Sequence, residues 1–244
     1  MSRRTLLLVG GAAALLAAAL ITVSIVGGGD DDGDAAAPTQ TITSETTTGP
    51  LPDVDTVSLE VIEGIPQNGL VLGRPTAPAV IVEYADLQCP FCARFAAETL
   101  SELVERWVRP GKATIDFRGL AVLGEDSRRA LRFVLAAAER DKGWSAAELL
   151  YENQGEENSG WVTDALLRAI AIELDLGPDA MVAAAASTRY DDAIQQNRAR
   201  AEQDQVAGTP AFLVGRRGGT IVPVGTGAIG ADAFEQALSV ATGS

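Results

Sequence analysis

The sequence predicts an α/β protein in which a mixed sheet is laid down as strand–helix–strand, interrupted by a helical block, and completed as strand–strand–helix. Three observations carry this. The β-branched run Val80-Ile-Val-Glu-Tyr84 stands directly before a stretch of helical period; residues 126–205 keep a helical period almost throughout; and two short strand-like runs joined by a Gly-rich turn precede a last helix. The helical block then reads as an all-helical insertion, at about residues 124–188, in a single α/β core spanning 57–244.

The N-terminus is organised differently. Residues 5–27 carry no charge, and as a helix at ~1.5 Å per residue they would span ~34 Å, enough to cross a bilayer core. Arg3 and Arg4 stand before this segment and the acidic run Asp30-Asp31-Asp32-Gly33-Asp34 follows it. That asymmetry predicts a signal anchor, residues 1–27, with the N-terminus cytoplasmic and everything after it extracytoplasmic. A cleaved signal peptide is the alternative, but its apolar core is usually only ~7 to 15 residues, and the nearest small-residue site, Ala35 to Ala37, lies behind four aspartates. Arg3-Arg4 also fits a twin-arginine signal, against which the strong apolarity of the segment argues. Residues 28–56, rich in Gly, Asp and Thr, lack the apolar side chains to fold alone and form a flexible linker, giving the folded part a reach of ~30 Å.

Within the folded part, Val80 to Tyr84 predicts a buried strand. After it, apolar side chains at Ala96, Leu100, Leu103, Val104 and Trp107 recur at helical spacing until Pro110-Gly111 stops them. Ala113-Thr-Ile-Asp-Phe117 is a second strand, parallel to the first because a helix separates them. Leu131, Val134, Leu135 and Ala138 mark one helical stripe of the insertion, and Leu167, Ile170, Ala171 and Leu174 mark another. Trp144, Tyr151 and Trp161 are suited either to a core or to a groove. Ala211–Val214 and Thr220–Val224 flank Gly215-Arg-Arg-Gly-Gly219 as an antiparallel hairpin, and a helix over about 231–241 ends the chain. Gly225-Thr-Gly227-Ala-Ile-Gly230 matches a dinucleotide-binding spacing. Only 14 residues follow Gly230, however, too few for the second strand and acidic residue that such a site needs. It is a tight strand-to-helix connection.

Composition removes several chemistries. With no histidine in 244 residues, neither a Ser-His-Asp nor a Cys-His mechanism is available, and imidazole metal sites go with them. A formal net charge of −14 repels nucleic acid. The chain's two cysteines, Cys89 and Cys92, lie in EYADLQCPFCARF with only Pro90 and Phe91 between them. Zinc would need four ligands that two cysteines and no histidine do not supply, and covalent haem would need histidine at position 93, which is alanine. A purely structural disulfide closing so small a loop stabilises little.

Redox chemistry explains the spacing better, and it calls for no cofactor and no metal. Cysteine at a helix start meets unpaired backbone N–H groups and the positive end of the helix dipole, both of which favour the thiolate. Pro90 suits a first helical turn. Cys89, expected at an exposed helix tip, is the attacked or attacking sulfur, and Cys92, one turn in, resolves the mixed disulfide. Glu83 has two readings. Amid Val80, Ile81, Val82 and Tyr84 it is a desolvated acid able to exchange a proton with Cys92, or it is a strand-edge carboxylate reaching solvent.

Residues 80–95 and 206–215, with the element order above, resemble the thioredoxin superfamily, and the size of the helical insertion resembles its DsbA-like branch of extracytoplasmic thiol-disulfide oxidoreductases. The resemblance covers about residues 57–244 and implies a thioredoxin-like fold. It implies Cys89 as nucleophile, Cys92 as resolving cysteine, the two forming a redox-active disulfide, and Glu83 as the buried acid. Thr209-Pro210 resembles the family's cis-proline loop, so that Pro90, Phe91, Thr209 and Pro210 would bind substrate. The implied partners are exported proteins with free thiols or disulfides and a membrane partner that recycles the disulfide. One departure is Phe91, where the best-known oxidants of the branch have histidine; thiolate stabilisation is then left to backbone amides. The resemblance favours an oxidase, with an isomerase or reductase of the same fold as the alternative. A second class is a non-catalytic binding module or a Cu(I) thiolate carrier, since paired soft sulfurs suit Cu(I).

Overall fold

The strand at the centre of the molecule owes its place to apolar character on both faces. In the computed structural model, which describes residues 50–243, the central strand runs Ala79–Asp86 and all of its residues but Val80 are buried. Three further elements precede it: α1 (Ser58–Ile62), β1 (Gln67–Asn68) and β2 (Val71–Leu72), making Ala79–Asp86 strand β3. It pairs in parallel with β4 (Ala113–Leu120) on one side and antiparallel with β5 (Ala211–Arg216) on the other. With β6 (Ile221–Thr226), the sheet has the order β1-β2-β4-β3-β5-β6. The parallel pair and the antiparallel hairpin both fall where the sequence places them.

Alternation along β3 divides the core. Ile81 and Ala85 face the larger cluster, and Val82 and Tyr84 face a smaller one closed by Leu120, Ala201 and Leu213. Glu83 shares the face of Ile81 and Ala85, the face whose core cluster also holds Cys92 and Phe95. The helix after β3 is broken into α2 (Pro90–Glu98) and α3 (Leu100–Leu103), continuing as a π-helical turn over Val104–Val108, where the sequence period alone suggests one helix. The break falls at Thr99, whose φ of −121° leaves the helical region. Phe95 of α2 anchors the helix on the sheet, its ring centroid 4.4 Å from that of Phe212.

The insertion comprises α4 (Glu125–Ala138), α5 (Gly143–Glu152), α6 (Asp164–Glu173) and α7 (Pro178–Ala186), packed chiefly on one another. Helix α8 (Asp191–Gln203) returns to the sheet, where Asn197 donates to the Gly119 carbonyl. A short 3₁₀ turn leads into α9 (Glu235–Thr242). Helix α5 is buried over Gly143–Tyr151, and Trp144 links it to the β1–β2 hairpin by donating from Nε1 to the Leu70 carbonyl at 2.8 Å. The N-terminal approach is tied down as well: Asp55 and Asn153 exchange two hydrogen bonds, and the Ser58 N–H donates to Glu152 Oε2.

Among the described residues no helix is long and apolar enough to cross a membrane. The expected anchor at 1–27 and most of the expected linker at 28–56 lie outside the described residues.

Candidate active site

Cys89 occupies the N-cap of α2, in extended conformation (φ −73°, ψ 119°), and Pro90 begins the helix. Its carbonyl accepts from the N–H groups of Cys92 at 3.0 Å and Ala93 at 3.1 Å, while its own N–H donates to the Asp86 carbonyl. Strand β3, its terminal loop and the first helical turn are therefore one hydrogen-bonded piece. Both cysteines are free thiols. The expected exposed tip is corrected here: Cys89 retains only 5% exposure, whereas Phe91 is 49% exposed. The cause is the loop before β5, whose Thr209 carbonyl lies 3.3 Å from Cys89 Sγ and accepts its S–H. Cys92 is fully buried.

Protonation separates the two sulfurs. A hydrogen bond with the Cys92 thiol is the main cause that lowers the Cys89 thiol to about 6; burial opposes it, and the Thr209 side chain and the N–H groups of Cys92 and Phe91 add to it. Backbone amides therefore contribute, but the thiolate does not depend chiefly on them, which revises the expectation drawn from Phe91. The Cys92 thiol is pushed far above its ordinary range, by burial first and then by the hydrogen bond to Cys89 and the charge there. Glu83 is buried, not at a solvent edge, and desolvation raises its carboxyl to about 8. At neutral pH it holds a proton, in the neighbourhood of Cys92, whose ionisation its charge opposes.

The Thr209–Pro210 peptide bond is cis. The loop is braced from behind by the glycine-rich connection after β6: the Gly227 N–H donates to the Pro210 carbonyl at 2.7 Å. Gly227 makes that turn at φ +89°, a conformation that L side chains rarely adopt. The dinucleotide-like spacing thus serves a strand-to-helix turn. Of the residues singled out in the sequence, the structure brings together Cys89, Cys92 and Thr209, with Pro210 buried beside Thr209. Pro90 and Phe91 stand at the surface of the same helical turn, and the Arg94 guanidinium lies 5.0 Å from the centre of the Phe91 ring.

Sequence reasoning missed a second layer. Asp86 is fully buried and accepts from four donors: the Gln88 N–H (2.9 Å), Ser127 Oγ (2.6 Å), and the N–H groups of Val122 (2.8 Å) and Leu123 (3.2 Å). It clamps the loop after β4 to the cysteine loop. Gln154, from the insertion, donates to the Leu87 carbonyl at 2.8 Å, and the Asn158 N–H donates to Gln88 Oε1 at the same distance. The signal for Asp86 was in the sequence, since a second acid three residues after Glu83 in a run this apolar has to be paired or protonated.

Strand order and the placement of the cysteine pair at the first turn of the helix leaving the central strand define a class, the thioredoxin-fold dithiol proteins. The chain belongs to the thioredoxin family: the family model described as thioredoxin matches residues 66–223. A probable disulfide bond formation protein D of Bacillus cereus is 30% identical over 104 residues, 42% of this chain and 48% of that protein. The chain thus spans about half the length of this curated relative. Among solved structures, oxidised BdbD from Bacillus subtilis superposes with a TM-score of 0.64 at 20% identity, covering 79% of this chain and all of that one. The α-DsbA1 of Wolbachia pipientis does so with a TM-score of 0.62 at 20% identity, over 71% of this chain and 90% of that one. By fold the protein is DsbA-like.

Proposed function

We propose that this chain is an extracytoplasmic thiol-disulfide oxidoreductase that acts on exported proteins through Cys89 and Cys92, in the direction of an oxidase. The observation that carries this reading is the placement of Cys89 at the N-cap of α2, against the Thr209 carbonyl, with Cys92 fully buried one turn in; these surroundings lower the Cys89 thiol to about 6 and raise Cys92 far above its usual range. A stabilised Cys89 thiolate makes Cys89 the better leaving sulfur and favours the reduced pair, which is what makes its disulfide oxidising. The relative named as a disulfide bond formation protein supports the same reading.

In the forward direction a substrate thiolate attacks Cys89 Sγ of the disulfide. The S–S bond breaks, its electron pair stays on Cys92 Sγ, and Glu83 supplies the proton that this buried sulfur requires. A second substrate thiolate attacks the substrate sulfur of the mixed disulfide and expels Cys89 as the thiolate. Substrate leaves oxidised by two electrons and the enzyme keeps both sulfurs reduced. In this reading the Thr209 carbonyl, 3.3 Å from Cys89 Sγ, pairs with the substrate backbone, and the exposed Phe91 adds an apolar contact. Recycling then requires a membrane partner that takes the two electrons. The apolar N-terminal segment serves as anchor, with residues 28–56 as tether and 57–244 as the catalytic domain.

A glutathione redox titration of the full chain tests the direction. An oxidase is expected near ~−120 mV, and a value near ~−270 mV would make the protein a reductase. The exchange reaction itself is tested with Cys92→Ala, which should accumulate mixed disulfides between Cys89 and exported proteins in cells; their absence would contradict it.

A further inference from the structure

Exchange at Cys92 has a consequence for protons. Each time the sulfur is released or attacks, one proton must travel between it and bulk water, yet Cys92 and Glu83 are both enclosed. A route is offered by a cavity that neither the cysteines nor the Thr209–Pro210 loop lines. It has a volume of about 510 Å³ and opens between α1, α2 and α5, lined by Ser58, Val61, Ala93, Ala97, Glu148 and Tyr151, among others; Phe91 does not line it either. Glu148 is 2% exposed and stands in the apolar helix α5. The Tyr151 hydroxyl, also on this wall, is buried with no hydrogen-bond partner among the described residues, and so is Ser58 Oγ. Buried hydroxyls of this kind are ordinarily satisfied by water.

Glu148 lines this cavity and lies within electrostatic reach of Glu83. Glu83 of β3 acts on it electrostatically, as does Glu152 of its own helix, and Cys92, Glu83 and Glu148 all bear on Tyr151. Arg94 of α2 lines the same cavity, α1 contributes uncharged side chains, and Arg129 and Arg132 of α4 are committed to Asp164 and Asp191. Burial holds the Glu148 carboxyl well above the ordinary range, which favours its protonated form.

We propose that Glu148 relays protons between Glu83 and solvent in the cavity between α1, α2 and α5, so that Cys92 exchanges its proton while substrate covers Cys89. The relay rests on the exchange function proposed above. When the S–S bond opens, Cys92 Sγ takes the proton of Glu83, Glu83 is refilled from Glu148, and Glu148 from water; resolution of a mixed disulfide by Cys92 runs the same transfers in reverse. Glu148 touches no reacting atom and acts through Glu83.

The test uses the reduced full chain and glutathione disulfide, following two steps: capture of glutathione at Cys89, and its release when Cys92 attacks. Glu148→Gln should slow release by on the order of tenfold or more at neutral pH and alter its pH profile, and Glu148→Asp should restore much of the rate. Glu148→Ala, which widens the cavity, should show release that rises with acetate or imidazole concentration, while wild type does not respond. Capture at Cys89, in which Cys92 loses no proton, should change little. Release at wild-type rate in Glu148→Gln overturns the relay, as does a slowed release that neither aspartate nor buffer restores, since that is the mark of a packing role alone. Wild-type chain that captures no glutathione at all would instead overturn the exchange function itself.

Discussion

Cys89 and Cys92 are separated by two residues, yet their surroundings drive them to opposite ends of the thiol range. Cys89, at the N-cap, receives the Cys92 hydrogen bond, the Thr209 side chain and two backbone N–H groups, and its thiol falls to about 6. Cys92, one turn in, has apolar walls, an adjacent sulfur and Glu83, and its thiol rises far above the ordinary range. The same chemical group is therefore a thiolate at one position and a thiol at the other. The contrast teaches that the C-x-x-C spacing alone does not set reactivity. The helix start supplies donors to the outer sulfur, and depth along the helix withholds solvent from the inner one.

Removing one side of the contrast should give the largest effect. Cys89→Ser should abolish exchange, a loss of at least ~10³-fold, because a hydroxyl does not ionise near neutral pH and does not form the mixed disulfide. Cys92→Ala leaves Cys89 in place but takes away the first cause of its depressed ionisation. Its thiol should rise from about 6 toward the ordinary cysteine value, and alkylation by iodoacetamide at slightly acidic pH should slow by about tenfold. Unchanged reactivity would transfer the stabilising role to the Thr209 side chain and the amides.

The inner side can be probed through Glu83. If Glu83 exchanges the Cys92 proton as proposed, Glu83→Gln should slow resolution by Cys92 by on the order of 10²-fold. Its effect on stability has a definite sign. The carboxyl titrates near 4.5 when solvated and near 8 in the fold, so the native state holds the extra proton between those values. Wild-type stability is full below about 4.5 and declines as pH rises toward 8, whereas Glu83→Gln escapes that decline. Denaturation at neutral pH should show the variant gaining on wild type by about 3 kcal/mol relative to acidic pH; an equal pH dependence in both would show that Glu83 is solvated. The smallest effect belongs to Thr209→Val, which keeps the carbonyl and loses the hydroxyl. It should raise the Cys89 thiol by a fraction of a pH unit, visible in the pH dependence of alkylation.

Much of this contrast was legible in the sequence, for physical reasons. The central strand announced itself because burial on both faces demands a continuous apolar run, and Glu83 stood out because it breaks that run. Thr209-Pro210 was legible only through the resemblance to the thioredoxin superfamily, since proline directly before a strand is no signal by itself: Pro78 stands in the same place before β3. What escaped was of two kinds. Strands β1 and β2 are two residues each, too short to show a period, though Asn68-Gly69 carries the turn signal of their hairpin. The burial of Cys89 depends on a loop 120 residues away, and no local pattern encodes a contact of that kind. Glu148 lay between the two. It shares a helical stripe with Trp144 and Tyr151, at spacings of four and three, so a charge on an apolar face was there to be noticed, but its relation to Glu83 required the fold.

The most direct test is an ultraviolet thiolate titration of the reduced full chain, repeated on Cys89→Ala and Cys92→Ala to assign each sulfur. One thiolate should appear with a midpoint near pH 6, lost in Cys89→Ala, and the other should stay protonated through pH ~9. Two sulfurs ionising together in the ordinary thiol range, or Cys92 ionising before Cys89, would contradict the account.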